Sequence, residues 1–383
     1  MTIVLPTGTG RSVTYVPRSE PVTHATQLPL RSRVVYSAAH VVADPLAAAA
    51  DAPAAVDWDA TLAFRRHLWA HGLAVAEAMD TAQRGMGLDW PAAAELIRRS
   101  SAEAAAVGGR IASGVGTDQL APASTMAEVT AAYEEQLAVV EAAGSQVILM
   151  ASRALAAVAK GPDDYLEVYG RLLRQSSDPV ILHWLGPMFD PALEGYWGSA
   201  DLDAATETFL DVIAAHPDKV DGVKISLLDA DREVALRRRL PAGVRCYTGD
   251  DFHYPQLIEG DRHGFSHALL GIFDPLAPVA GAAVSRLDTG DAAGFRGLLD
   301  PTVELSRHLF GAPTRFYKTG VVLLAWLAGH QSHFTMVGGL QSARSLPHLA
   351  RAYELADRAG LFPDPHLAEH RMRALLNLHG VDA

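Results

Sequence analysis

Cysteine and lysine are scarce in this chain of 383 residues. Cys246 is the one cysteine in the sequence, which excludes an internal disulfide framework and a metal site built from cysteines. Lysine provides only four of the 32 basic residues, so arginine carries almost all of the positive charge. Acidic residues number 44, and the net charge of -12 argues against nucleic acid as a partner because phosphate binding requires basic patches.

Long apolar runs are also lacking. No stretch of the sequence reaches the roughly 18 apolar residues that a membrane-spanning helix needs. The N-terminal residues lack the basic and apolar regions of a secretory signal. We therefore expect a cytoplasmic protein with no membrane partner. A hydrophobic content of 49% and a charged content of 20% are typical of a globular chain that buries a large core.

One of the four lysines has unusual neighbours. Lys224 lies in residues 220–228, where apolar residues alternate with small or polar ones. This alternation predicts a strand with one apolar face and one face that carries an amine. Unlike a guanidinium group, an amine can lose its proton and attack a carbonyl carbon. Lys224 is therefore a candidate nucleophile, and the alternative is a buried lysine paired with a carboxylate.

Eight short strand-like runs alternate with long helical stretches. The predicted strands are residues 34–40, 73–78, 110–115, 146–150, 179–184, 220–227, 244–248 and 264–272. The predicted helices between them are residues 58–71, 90–107, 125–143, 165–175, 202–215 and 231–239. Strands separated by helices are parallel, and eight such units predict an α/β protein with a (β/α)8 TIM barrel.

Three regions are predicted along the chain. Residues 1–33 form an N-terminal extension that is rich in proline, threonine and arginine, with strand-like pieces. Residues 34–312 form the barrel. Residues 313–383 form a C-terminal helical cap, with helices predicted at residues 316–327, 347–359 and 365–378.

Polar residues follow several of the predicted strands, and barrel chemistry is found at these C-terminal strand ends. We predict that Lys224 and His183 are catalytic, since the pKa of a histidine lies near neutrality and suits proton transfer. The predicted substrate-binding residues are Asp80, Thr81, Ser226, Tyr247 and Asp250. Structural alternatives remain: a hydrogen-bonded histidine at position 183, helix caps at positions 80 and 81, and a bracing turn at position 250.

Six segments occur in a characteristic order: residues 56–73, 109–116, 178–182, 220–224, 248–251 and 317–320. Together they resemble the dihydrodipicolinate synthase / N-acetylneuraminate lyase family of Schiff-base barrels. The segment that ends at Lys224 is similar to the family's Gly-Ile/Val-Lys, which carries the imine-forming lysine. Residues 248–251 are similar to its Gly-Asp-Asp turn. The resemblance covers most of residues 34–360 and implies a barrel that forms an imine at Lys224.

Three departures from the family pattern change the expected substrate. Residues 78–83 replace the Gly-Thr-Thr-Gly-Glu segment that holds a substrate carboxylate, and Asp80 would repel such a group. His183 replaces the proton-relaying tyrosine of strand five, and residues 151–153 replace Pro-Tyr-Tyr. We therefore expect an aldolase or lyase that acts on a small, sugar-derived carbonyl compound rather than on pyruvate, without a cofactor or metal.

Two other functions remain open from the sequence alone. The first is a metal-dependent barrel isomerase or aldolase, because 16 histidines and many carboxylates could supply ligands for a divalent metal. The second is a sugar-binding barrel without catalytic activity. We also expect a homodimer or homotetramer, since the resembling family is commonly oligomeric and residues 321–327 form an apolar run in the tail.

Overall fold

The computed structural model describes residues 2–47, 54–120 and 125–382, and in these residues the strands form two sheets. The first is an antiparallel hairpin of β1 (Ile3–Gly8) and β2 (Arg11–Tyr15). The second is a closed barrel whose neighbouring strands are all parallel. Its strands are β3 (Val35–Ala38), β4 (Ala74–Glu77), β5 (Ile111–Val115), β6 (Gln146–Leu149), β7 (Val180–Leu185), β8 (Val220–Ser226), β9 (Arg245–Thr248) and β10 (His267–Leu270).

At least one helix follows each barrel strand, and further helices complete the C-terminal region. They are α1 (Trp58–Ala70), α2 (Trp90–Val107), α3 (Met126–Ala142), α4 (Arg153–Val158), α5 (Pro162–Gln175), α6 (Leu202–Ala215), α7 (Ala230–Arg237), α8 (Tyr254–Glu259), α9 (Ala277–Asp288), α10 (Ala292–Leu299), α11 (Val303–Leu309), α12 (Tyr317–Leu327), α13 (Leu346–Arg358) and α14 (Pro365–Leu378). The predicted TIM barrel with C-terminal helices is confirmed. No helix of the described residues is long and apolar enough to cross a membrane.

Local sequence signals define the helix ends. The side chain of Asp89 accepts a hydrogen bond from the N–H of Ala92 and caps α2, which ends at Gly108 with a φ of 70°. Glycine adopts such a left-handed conformation without strain. Thr125 and Glu128 form a reciprocal capping box at the start of α3. These caps fix where the chain leaves the barrel strands and turns into the surrounding helices.

The chain divides into two compact units. The first unit comprises Met1–Ser32, His40–Gly72 and Ile272–Ala383, and therefore contains the hairpin, α1 and α9 to α14. The second comprises Arg33–Ala39 and Leu73–Gly271, and therefore contains all eight barrel strands and α2 to α8.

The apolar run of the tail belongs to the core of the first unit. Residues 321–325 and Leu327 of α12 are each at most 2% exposed. In the same unit the hydroxyl of Tyr15 donates to Asp357 at 2.6 Å and ties the hairpin to α13. Because this run is buried within the chain itself except for the partly exposed Trp326, it gives no support to the predicted dimer or tetramer, and that prediction stays untested.

The barrel lumen of the second unit is filled by side chains beneath the C-terminal rim. The buried cluster includes Tyr36, Ala38, Ala74, Ala76, Met79, Ala112, Ile148, Ile181, Tyr247 and Leu269. Tyr36 donates its hydroxyl to Gln146 at 2.9 Å, and Tyr247 donates to Asp221 at 2.7 Å. Gln146 and Asp221 lie at the starts of β6 and β8, so these hydroxyls close the N-terminal end of the barrel.

Candidate active site

Lys224 is the fifth residue of β8, the sixth strand of the barrel, and its side chain enters the lumen. Two residues before it, Gly222 leaves room for the ring of Tyr247, because a Cβ there would lie 2.6 Å from that ring. On the neighbouring strand β7, His183 is paired in register with Lys224. The amine is therefore held between a filled lumen below and the open rim above.

Burial changes the acidity of this amine. Lys224 is 8% exposed, and the loss of water lowers its pKa from 10.5 to about 8. The charges of Asp251 and Asp80 act in the opposite direction and raise the pKa, so both carboxylates are electrostatic neighbours of the amine. A lysine with a pKa of about 8 is neutral much more often at physiological pH than an exposed lysine is.

His183 and Ser226 form a polar pair beside Lys224. The Nε2 atom of His183 lies 3.1 Å from the Oγ atom of Ser226. Burial, and secondarily the charge of Lys224, lower the pKa of His183 well below its ordinary value. The imidazole is therefore neutral at physiological pH, and its unprotonated nitrogen can accept a hydrogen bond.

The turn after β9 packs directly against Lys224. The N–H of Gly249 donates to the carbonyl oxygen of Ile225 at 2.8 Å. A Cβ at position 249 would overlap the hydroxyl of Ser226 and would lie 2.9 Å from the Cε atom of Lys224. Glycine is therefore required here by close approach, and the turn limits how far the lysine side chain can move.

Asp250 braces this turn from within. One of its carboxylate oxygens accepts the N–H groups of Phe252 and His253 at 2.8 and 3.0 Å. The other oxygen lies 2.9 Å from the Nδ1 atom of His253. Because Asp250 is only 1% exposed and its oxygens hold the turn, we leave it out of the proposed substrate site, in favour of the structural alternative.

A cavity of about 520 Å³ lies beyond the ends of β4 to β7. Asp80 and His183 line it, and both are neighbours of Lys224. The other polar lining residues that matter for its chemistry are Arg84, Thr117, Asp118, Ser152, Arg153 and Asp190. Met150, Leu185 and Leu193 form much of the apolar wall.

Each arginine of the cavity lining is held by a carboxylate of the same lining. Arg84 pairs with Asp118 at 2.6 Å, and Arg153 pairs with Asp190. Burial raises the pKa of Asp118, but Arg84 and the hydrogen bond from Gln136 together more than offset this effect, so that the pKa lies below its ordinary value. With Asp80 added, three carboxylates face two guanidinium groups among the described lining residues. The cavity therefore favours a neutral or cationic molecule over an anion.

The structure brings together only some of the residues that the sequence predicted. Asp80 and His183 line the cavity, whereas Lys224 and Ser226 are not part of its lining and lie next to His183, Lys224 in register on β8 and Ser226 at 3.1 Å. Thr81 is buried in the turn after β4 and is not part of the cavity lining. We also leave Tyr247 out of the proposed substrate site, because its hydroxyl donates to Asp221 at the other end of the barrel.

Among the polar lining residues, Arg84 and Asp190 were missed altogether by sequence reasoning. Arg84 and Asp190 lie several residues beyond the ends of β4 and β7, in loops that the strand-end rule does not reach. No motif around either residue signals its position in space. Within the described ranges, no three His, Cys, Asp or Glu side chains are arranged to hold a metal ion.

The barrel has the fold of the dihydrodipicolinate synthases, as the resemblance predicted. The E. coli K12 prophage protein YagE, solved in complex with pyruvate, is similar with a TM-score of 0.67 at 12% identity, over 86% of this chain and 99% of that chain. Dihydrodipicolinate synthase from Thermotoga maritima is similar with a TM-score of 0.64 at 14% identity, over 86% and 99%. The Acinetobacter baumannii synthase, complexed with pyruvate, also gives 0.64 at 14%, over 87% and 100%.

A family profile matches almost the whole chain. Residues 3–381 match the family described as protein of unknown function DUF993, so the chain belongs to that family. A search of curated proteins found no match. The comparisons therefore establish the fold and the family, and the activity must be argued from the site.

Proposed function

We propose that the protein is a Schiff-base aldolase or lyase in which Lys224 forms an imine with the carbonyl carbon of a small substrate. The observation that carries this proposal is a buried amine with a pKa of about 8, paired in register with a neutral histidine, beside a cavity. Solved structures of the same fold are described as dihydrodipicolinate synthases, and two of those reported above contain pyruvate, which supports carbonyl chemistry.

The proposed reaction begins when the neutral amine of Lys224 attacks the carbonyl carbon. The adduct loses water and leaves a protonated imine, which withdraws electrons from the adjacent carbon. In the cleavage direction, a base removes the proton of a hydroxyl group on the β-carbon, the second carbon from the imine carbon. The bond between the α- and β-carbons then breaks. Its electron pair forms an enamine with the Lys224 nitrogen, and the β-carbon is released as an aldehyde. Protonation of the enamine carbon and hydrolysis of the imine restore the amine.

His183 is the proposed base of this reaction. It lines the cavity, it is paired in register with Lys224, and its imidazole is neutral. Ser226 lies 3.1 Å away and can pass a proton to or from the imidazole. His183 and Ser226 together take over the proton relay that a tyrosine on the same strand carries out in the family that the sequence resembles.

The proposed substrate is a neutral, hydroxylated carbonyl compound of sugar type. Its hydroxyl groups can donate hydrogen bonds to the Asp80 carboxylate, whereas a substrate carboxylate would be repelled there. The hydroxyls of Thr117 and Ser152, 2.5 Å apart, offer further polar contacts deeper along the cavity wall. The cations of the lining are already paired with Asp118 and Asp190, which also disfavours an acidic substrate.

Borohydride trapping tests the imine directly. The protein is incubated with ketosugars, aldoses and keto acids in turn, reduced, digested, and analysed by mass spectrometry. A mass increase on the peptide that contains Lys224 is expected, and it should disappear in Lys224→Arg and Lys224→Ala. Lys160→Arg, at an exposed lysine, serves as the matched control and should trap normally. Turnover at the wild-type rate in Lys224→Ala would end the proposal.

The same screen tests the substrate class. Hydroxylated neutral compounds should be trapped more efficiently than keto acids. In Asp80→Asn the difference in trapping efficiency between the two classes should become smaller, because the repelling charge is removed. Efficient trapping of pyruvate with turnover would show that the role given to Asp80 is wrong, even if the imine at Lys224 is found.

A further inference from the structure

A buried carboxyl group outside the cavity is connected to the turn that contacts Lys224. Glu233 lies on α7 and is 1% exposed. One of its carboxyl oxygens accepts the hydroxyl of Thr248 at 2.9 Å, and the other accepts the hydroxyl of Ser266 at 2.7 Å. Glu233 does not line the cavity, and the proposed reaction gives it no step.

Thr248 links this carboxyl group to the turn. Its hydroxyl oxygen donates its proton to Glu233 and accepts the N–H of Asp250 at 3.2 Å. The chain of contacts therefore runs from Glu233 through Thr248 to the backbone of Asp250. The next residue is Asp251, and its charge raises the pKa of Lys224 more than that of Asp80 does.

Ser266 has no comparable link to the turn. Its hydroxyl donates to Glu233 and accepts from the guanidinium group of Arg237 at 3.1 Å, and its backbone N–H donates to Leu257. The two hydroxyls that bind the same carboxyl group thus lead to different places. Only the Thr248 branch reaches the residues around Lys224.

We propose that Glu233 is a positioning residue that holds the turn of residues 248–251 through Thr248 and thereby fixes the Asp251 carboxylate near the Lys224 amine. A carboxyl group suits this role because both of its oxygens accept, so that both hydroxyls are satisfied at once. An amide offers one accepting atom only, and an alanine leaves both buried hydroxyls without their acceptor. The catalytic importance of this turn rests on the proposed function of Lys224.

The surroundings of Glu233 explain why it is sensitive to change. Burial raises its pKa to about 7, and the nearby Asp250 acts in the same direction. Thr248, Ser266 and the guanidinium group of Arg237 lower the pKa and only partly offset the burial. The thiol of Cys246, on β9, also faces this group, and its pKa is raised by burial and by Glu233.

The test measures the acidity of Lys224 without any carbonyl substrate. The protein is labelled with trace acetic anhydride over a series of pH values, and acetylation of Lys224 is quantified by mass spectrometry against that of Lys160. Thr248→Val removes the link and keeps the side-chain shape, and Glu233→Ala removes the acceptor. Both should lower the midpoint of Lys224 labelling by roughly one pH unit, which raises the neutral fraction at pH 7 about fivefold from a starting pKa of about 8.

Two controls make the result decisive. Ser266→Ala should leave the midpoint unchanged, because this hydroxyl binds the same carboxyl group but not the turn. Asp231→Asn, at an exposed position of the same helix, removes an acidic charge and should also have no effect. If Glu233→Ala fails to fold, Thr248→Val still decides the question.

A double variant tests whether the effect passes through Asp251. If the effect of Glu233 passes through Asp251, adding Glu233→Ala to Asp251→Asn should not change the midpoint of Lys224 labelling any further. The effects of substitutions within one hydrogen-bond network are not additive. An unchanged midpoint in Thr248→Val, an equal shift in Ser266→Ala, or an additive shift in the double variant would each overturn the inference. Failure of borohydride trapping would instead count against the proposed function, and the labelling result would stand.

Discussion

Replacing Gly249 with alanine should damage the site by steric overlap alone. The added Cβ would overlap the hydroxyl of Ser226, and would lie 2.8 Å from the carbonyl oxygen of Ile225 and 2.9 Å from the Cε atom of Lys224. The Ile225 oxygen cannot retreat easily, because it accepts the N–H of Gly249 itself at 2.8 Å in the pairing of β8 and β9.

The cost of this overlap can be estimated from these contacts. Ser226 can turn away, but its hydroxyl then loses the 3.1 Å contact with His183. The remaining overlap pushes the turn and the lysine side chain apart, and an added methyl group in a packed interior costs about 1–3 kcal/mol. A misplacement of about 1 Å at a reacting group lowers rates by about 10²-fold. We expect a modest loss of stability and a loss of imine trapping of about 10²-fold.

The assay compares two alanine variants by borohydride trapping at Lys224 and by thermal unfolding. Gly297→Ala is the matched control, since this exposed glycine of α10 has no atom within 4 Å of its added Cβ. Removing a helix glycine should stabilise the protein by roughly 0.5–1 kcal/mol and leave trapping unchanged. Trapping in Gly249→Ala at the wild-type rate would refute the placement of the turn against Lys224.

Three further results are expected. His183→Phe should lower kcat by about 10²–10⁴-fold and change KM little, and an unchanged kcat would leave His183 a packing residue. The pKa of Glu233 is raised from 4.5 in the unfolded chain to about 7 in the folded protein. The folded state therefore binds this proton more tightly, and the stability of wild type relative to Glu233→Gln should fall as the pH rises from about 4.5 through 7. Chemical unfolding of both proteins at about pH 5 and about pH 8 measures this difference. Light scattering should detect a dimer or tetramer, and a single monomeric species at micromolar concentration would contradict self-association.

The sequence predicted the barrel well because buried parallel strands leave a strong signal. Each of the eight predicted strands overlaps an observed strand, and most ends agree within about two residues. The hairpin of β1 and β2 was predicted only as strand-like pieces of an extension. Helices α4 and α8 span six residues each and were not predicted, because so few residues hold less than two full turns of apolar periodicity.

The sequence indicated where several candidate site residues lie along the chain, but not how each side chain is oriented. The register of β7 against β8 places His183 beside Lys224. Alternation along β8 predicted that Lys224 lies on the face opposite the apolar one, because the side-chain period of a strand is two. It does not say toward which end of the barrel a long ring extends, and Tyr247 extends toward Asp221. Spacing also cannot tell which of two adjacent aspartates turns inward, so Asp250 was assigned to the substrate.

The carboxylates around Lys224 have opposite effects at two stages of the proposed reaction. Asp251 and Asp80 raise the pKa of the amine and so reduce the fraction that is ready to attack. After attack, the protonated imine keeps a positive charge in the same buried place, where the same two carboxylates stabilise it. Asp251→Asn should therefore make Lys224 react with acetic anhydride at lower pH and yet turn over substrate more slowly. Faster turnover in Asp251→Asn near pH 7 would show that proton loss from the amine, and not the stability of the imine, limits the reaction.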